Sequence, residues 1–135
     1  MKGYYSMSEF QHVDSAIAAR WHNLADRARA TLIAAGIPAF DEKHSATHGG
    51  ARVEVDTGDD GIGGIYLTWT FSEELAKEIG SRLLSQDVSH PVIRYSGKVQ
   101  LAMRDAIIAI LGAAGFSAGA SKDDDMRPLA VSLYE

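Results

Sequence analysis

Two stretches of this chain alternate between apolar and polar side chains. From Ala51 to Asp56 the apolar set is Ala51, Val53 and Val55; from Ile65 to Phe71 it is Ile65, Leu67, Trp69 and Phe71. The intervening positions, Arg52, Glu54, Asp56, Tyr66, Thr68 and Thr70, are mostly polar. A period of two puts alternate residues on opposite faces of a strand, so each run reads as a strand with one buried face and one wet face. Between them lies TGDDGIGG, whose glycines supply positive φ and whose aspartates support turn hydrogen bonds. The pair is a predicted β-hairpin.

Elsewhere the period changes to that of a helix. Ile17, Trp21, Leu24, Ala28, Leu32 and Ala35 recur at steps of three and four, with His22, Asp26 and Arg29 on the other side. Gly36 is the expected stop, and Pro38 prevents the helix from resuming, so Ile37 to Asp41 reads as a short first strand at a sheet edge. After the hairpin, Ser72 caps a second helix with Glu73 and Glu74 in its first turn and Leu75, Ile79 and Leu83 as its buried stripe. Glu73 with Lys77 and Glu78 with Arg82 form i,i+4 pairs on its outer face. A third helix is expected from a Ser96 cap to Ala114. Its second half, AIIAILGAA, is apolar nearly all round, which suits a central helix or one at an oligomer interface. Gly115 ends it, SAGASKDDD reads as a polar loop, and Pro128 to Tyr134 alternates as a last strand.

These elements predict a single α+β domain over residues 1–135, in two layers: a four-stranded antiparallel sheet with three helices on one face, in the order α-β-β-β-α-α-β. Trp21, Leu24, Leu32, Val53, Val55, Leu67, Trp69, Leu75, Ile79, Leu83, Met103, Ile107, Ile110, Leu129, Val131 and Leu133 form the expected core. An antiparallel pair of second and third helices would put the hairpin tip and the start of the third helix at one end of the sheet. The segments LIAAGIPA at Leu32 and ILGAAGFSA at Ile110 resemble each other, as two helices ending in glycine before a strand would.

A chain of 135 residues can bury a core without staples, and it contains no cysteine, which removes disulfides, thiol nucleophiles and thiolate metal sites. The net charge of −5, with no long basic stripe, argues against nucleic acid or an anionic membrane as partner. No apolar run is long enough to span a bilayer, and a cytoplasmic protein is expected.

Candidate chemistry is sparse. GFSAG, Gly115 to Gly119, spells the nucleophile-elbow pattern, but that motif needs a strand before the serine and a helix after it. The run from Asp56 to Gly61 superficially resembles a calcium loop, yet Gly58 and Leu67 stand where oxygen ligands belong. Arg94, Ser96, Gly97 and Lys98 at an expected helix start form an anion-binding candidate. His44 and His48 with Asp123, Asp124 and Asp125 are weak metal-ligand candidates. Arg52, Glu54, Tyr66, Thr68, Thr70, Ser132 and Tyr134 would project from the open sheet face and could receive a partner.

No catalytic set and no cofactor loop is recognisable, so no cofactor is expected. The leading expectation is a small acidic non-enzymatic protein that binds another protein or itself, as a chaperone, regulator or immunity protein does, with a homodimer as one form. The alternative is a small-ligand or anion-binding protein or enzyme with its site near Arg94 and Lys98. In layout alone, the stem of amphipathic helix, three-stranded meander and helix in an acidic chain resembles the secretion chaperones. That resemblance covers roughly the first two thirds and carries no residues over.

Overall fold

The structure is a computed structural model, which describes residues 14–44, 47–58, 63–122 and 127–135. Its elements are α1 (Ser15–Ala34), β1 (Ala39–Asp41), β2 (Gly50–Asp56), β3 (Gly64–Thr70), α2 (Glu73–Leu84), α3 (Pro91–Ala113), β4 (Ser117–Ala120) and β5 (Val131–Tyr134). The fold is α+β, with three helices and a five-stranded sheet among the described residues, the strands in the order β1-β2-β3-β5-β4.

The sheet is mixed rather than antiparallel. β1 runs parallel to β2, with Ala39 opposite Ala51, while β2–β3, β3–β5 and β5–β4 are antiparallel. A parallel neighbour normally needs a connection of a dozen or more residues. Here β1 is only three residues long, and the chain turns back through 42–49. Gly49 and Gly50 make that turn possible: both have positive φ, and a Cβ on Gly50 would lie 2.6 Å from the Pro38 carbonyl oxygen. The expected meander is therefore absent, and with it the layout shared with secretion chaperones.

The fifth strand, β4, occupies the start of what reads as a polar loop. Ser-Ala-Gly-Ala has no β-branched or aromatic residue and hence little strand propensity of its own; pairing with β5 creates the strand. β5 is shorter than the alternation suggests, because Leu129 takes a left-handed φ of 62° and Pro128 cannot belong to the ladder.

The three described helices end in the same hydrogen-bonded motif. Ile37 N–H donates to Leu32 O, Asp87 N–H to Arg82 O and Phe116 N–H to Leu111 O, each closing a six-residue loop around a left-handed residue. That residue is Gly36, Gln86 and Gly115 respectively. The likeness of LIAAGIPA to ILGAAGFSA is thus two helix stops, each with an apolar residue after the glycine.

The core lies between the sheet and the pair α1 and α3. Leu32, Val53, Leu67, Ile107, Val131 and Leu133 are buried, with Trp21, Leu24, Val55, Trp69 and Ile110 packed against them. Leu83 is not part of it, being 51% exposed. α3 leads into β4, which begins beside Tyr134 at the Gly64 end of the sheet, so the C-terminus of α3 lies at the hairpin-tip end and its start at the other. The expected placement of the third-helix start beside the hairpin tip is reversed. At 23 residues α3 is about 34 Å long, whereas the seven residues of β3 span about 23 Å, and the buried residues of α3, Ile107 and Leu111, both lie in its second half. α2 packs against α3 and buries none of its residues.

Candidate functional site

The end of α2, the turn after it and the first half of α3 carry an exposed apolar surface. α2 starts where β3 ends: Ser72 caps it through Leu75 N–H, and Glu73 and Glu74 lie in the electropositive first turn. The turn that follows, tied by Arg82 to Asp87 at 3.4 Å, brings the chain back into α3. His90 caps α3, its Nδ1 accepting the Val92 N–H at 3.1 Å, and Pro91 occupies the first helical position, where its missing N–H costs nothing. Seven large apolar side chains are conspicuously exposed among the described residues. Five of them fall between Leu83 and Leu101: Leu83 51%, Leu84 89%, Val88 67%, Tyr95 55% and Leu101 42%. Single exposed hydrophobics need no explanation, but a concentration on one helical hairpin marks an interaction surface.

The start of α3 relocates the anion candidate. Ser96 is not a cap but stands in the second turn, its hydroxyl donating to Ile93 O at 2.9 Å, and Gly97 has open space where a Cβ would be. The backbone N–H groups at 96 to 98 are inside the helix and not offered to an anion. Arg94 and Lys98 are exposed and have no ion-pair partner among the described residues. What remains is two cations on the outward face of α3, which also carries Tyr95, Leu101, Ala102, Asp105, Ala109 and Gly112.

The outer sheet face is less open than its polar sequence implies. Tyr66 and Ser132 are buried, whereas Arg52, Glu54, Thr68 and Thr70 are half-buried and Tyr134 is exposed. The cover comes from Arg127, absent from the sequence-based set. Its guanidinium lies 4.0 Å from the Tyr66 ring centre and bonds Asp56 at 2.6 Å and Glu54 at 3.3 Å. Burial favours the neutral form, but the hydrogen bonds that the guanidinium donates to Asp56 and Glu54 more than offset it and hold its pKa above the ordinary arginine value. Arg52 continues the network to Glu54 at 3.7 Å and Glu42 at 4.0 Å. This is a clasp holding Arg127, just before β5, against the sheet. An arginine next to a proline in a polar loop carried no periodic signal that could have revealed it.

His44 contacts Asp41 at 2.5 Å, and this hydrogen bond, with the Lys43 N–H, holds the Asp41 carboxyl below its ordinary value. His48 is exposed, and Asp123 to Asp125 lie outside the described residues, as does half of the calcium-like run, residues 59–61. Among the described residues no group of three or more His, Asp or Glu is placed to share a metal ion. Ser117 opens β4 directly after the C-terminus of α3, the reverse of the strand-then-helix order a nucleophile elbow needs.

A cleft of about 560 Å³ lies where α1 faces the start of β4, lined by Asn23, Leu24, Arg27, Phe116, Ser117 and Tyr134 among others. Arg27 stacks over Phe116, 5.4 Å from the ring centre. At its rim Glu135 accepts from Arg20 Nε and Trp21 Nε1, both at 3.0 Å, and these bonds hold its carboxyl below the ordinary value. No helix among the described residues is long and apolar enough to cross a membrane. No family model, curated protein or solved structure matches the chain.

Proposed function

We propose that this chain is a non-enzymatic protein-binding module whose docking surface is the α2–α3 hairpin together with the outward face of α3. The observation that supports this reading is the clustering of exposed apolar side chains from Leu83 to Leu101, on the end of α2, the turn after it and the first half of α3. Burying such side chains contributes about 25 cal/mol per Å² of apolar area, so a hairpin that leaves them in water has stabilisation to gain from a partner. The net charge of −5 favours a protein over a nucleic acid or an anionic membrane, and a cytoplasmic setting fits the absence of cysteine.

The test is affinity capture from the cells that make the protein, comparing the unaltered chain with a variant carrying Leu84→Asp and Tyr95→Asp. A set of proteins, the chain itself included, should be retained by the first and lost from the second. Identical capture by both would remove the reading.

A second reading, small-anion binding, is favoured by one specific observation. Asn23, Arg27, Ser117 and Tyr134 converge on the 560 Å³ cleft, a volume within the range of small-molecule sites. It moves the alternative away from Arg94 and Lys98. A melting-temperature series with phosphate and small carboxylates checks it, since a ligand bound by the native state alone raises the midpoint.

A further inference from the structure

The outward face of α3 is spaced for a particular occupant. Tyr95, Ala102 and Ala109 repeat at seven residues, and so do Lys98, Asp105 and Gly112; all six belong to α3 and all six are exposed. Seven residues are nearly two whole helical turns, so each triplet forms one line along the axis, and together they make a straight seam of the kind that faces another helix. The small residues cluster in the second half of the seam and the large tyrosine in the first. The charges divide in the same way: Arg94 and Lys98 precede the midpoint, and Asp105 follows it.

A face whose two halves are complementary to each other is satisfied by its own copy turned end for end. We infer that the occupant of this face is a second copy of the chain, paired α3 to α3 in antiparallel register about a two-fold axis between Leu101 and Ala102; this rests on the α2–α3 surface being a docking site. In that register Lys98 meets Asp105 of the second copy, and the two-fold repeats the pair. Leu101 packs on the Ala102 methyl, and Tyr95 reaches the Ala109 and Gly112 end, where small side chains leave room for a ring. Arg94 lies toward the C-terminal half of the opposing helix, the negative end of its dipole. Within one copy, Asp105 bonds its neighbour Arg104 at 3.2 Å and is still 67% exposed, so one edge of its carboxylate is available. The apolar girth of α3 thereby gets a physical account. Its inward side, Ile107 and Leu111, belongs to the core, and its outward alanines and glycine permit close approach of another backbone.

Charge reversal tests the register. Unaltered protein should sediment as a dimer at about 100 µM, above the micromolar dissociation constants common for interfaces of modest area. Lys98→Asp alone and Asp105→Lys alone each place like charges opposite one another twice, and each should weaken dimerisation about tenfold or more. Mixing the two variants in equal amounts should restore a dimer, because both pairs are then of opposite sign, and so should the double variant K98D/D105K alone. Both side chains point to solvent in one copy, and unchanged melting of the variants at low concentration checks that they fold. A monomer at 100 µM, dimers that survive either single reversal, or a mixture that stays monomeric overturns the inference. The capture experiment stands apart from it: loss of partners other than the chain itself in the L84D/Y95D variant would uphold the docking surface even where self-pairing fails.

Discussion

The Tyr66 ring lies between the backbone of Gly64 and the guanidinium of Arg127: a Cβ on Gly64 would sit 3.3 Å from the tyrosine hydroxyl oxygen, and the Arg127 carbon is 4.0 Å from the ring centre. A missing side chain lets the ring lie down on the sheet, and the ring then supports the cation that gathers Asp56 and Glu54. Three elements meet in that stack, β2, β3 and the connection into β5. It closes the sheet face that sequence alone leaves open.

Removing Arg127 should therefore cost more than a surface arginine does. Its side chain is 12% exposed and those of Asp56 and Glu54 are 14% and 25% exposed, so Arg127→Ala leaves the partly buried Asp56 without its cation and Glu54 with only Arg52 at 3.7 Å. A loss of about 2–4 kcal/mol is expected from urea unfolding at neutral pH. Arg127→Lys should recover only part of it, since an ammonium keeps the charge but loses the planar fork and the flat contact with the ring.

Glycines separate into those the fold requires and those it tolerates. Gly50 has φ 139° and would place a Cβ 2.6 Å from a backbone oxygen, so Gly50→Ala should lower stability by about 2 kcal/mol or more, read from thermal or urea unfolding. Gly97 lies inside α3 with nothing within 4 Å of a Cβ. Gly97→Ala should raise stability by about 0.5–1 kcal/mol through helix propensity.

The stop of α2 uses glutamine where the other two helices use glycine. Gln86 holds φ 58°, a conformation that costs a side-chain-bearing residue about 1 kcal/mol. Gln86→Gly is expected to stabilise the protein by a fraction of that amount, because glycine gives some back in unfolded-state entropy. Gly36→Ala and Gly115→Ala at the matching positions should both destabilise.

Acid sensitivity should trace in part to Glu135 and Asp41. The hydrogen bonds from Arg20 and Trp21 hold Glu135, and that from His44 holds Asp41, below their ordinary values. A carboxyl depressed in the folded state contributes stability that is present above its unfolded pKa, about 4, and lost as pH falls through the lower folded value. Glu135→Gln should flatten the acid limb of the stability curve between about pH 4 and the folded value while leaving its shape near neutrality unchanged.

How much was legible follows from which interactions are local. The hairpin register, with Val53 opposite Leu67, and the buried stripe of α1 follow from periodicity, because a period of two or 3.6 only needs one side of an element to meet a core. The stops at Gly36 and Gly115 are equally local, each a matter of one residue's allowed φ. The start of α3 was misplaced at a Ser96 cap, whereas His90 caps the helix and Pro91 is its first residue, because a serine and a histidine before proline are both possible caps and only the folded chain chooses between them.

By itself, then, the order of residues determined the helices, the central hairpin and the apolar layer between them, since backbone propensity and burial period act over a few neighbouring positions. Only the tertiary structure decided the rest. β4 is a strand because β5 lies beside it, and β1 is parallel because Gly49 and Gly50 let the chain pass within touch of Pro38. Arg127 became the centre of the outer face through partners 71 and 73 residues away in sequence. The α2–α3 hairpin keeps its apolar side chains exposed because α2 buries no residue and α3 buries only Ile107 and Leu111, in its second half. Lengths of different elements, and contacts between distant ones, are compared only when the chain is folded.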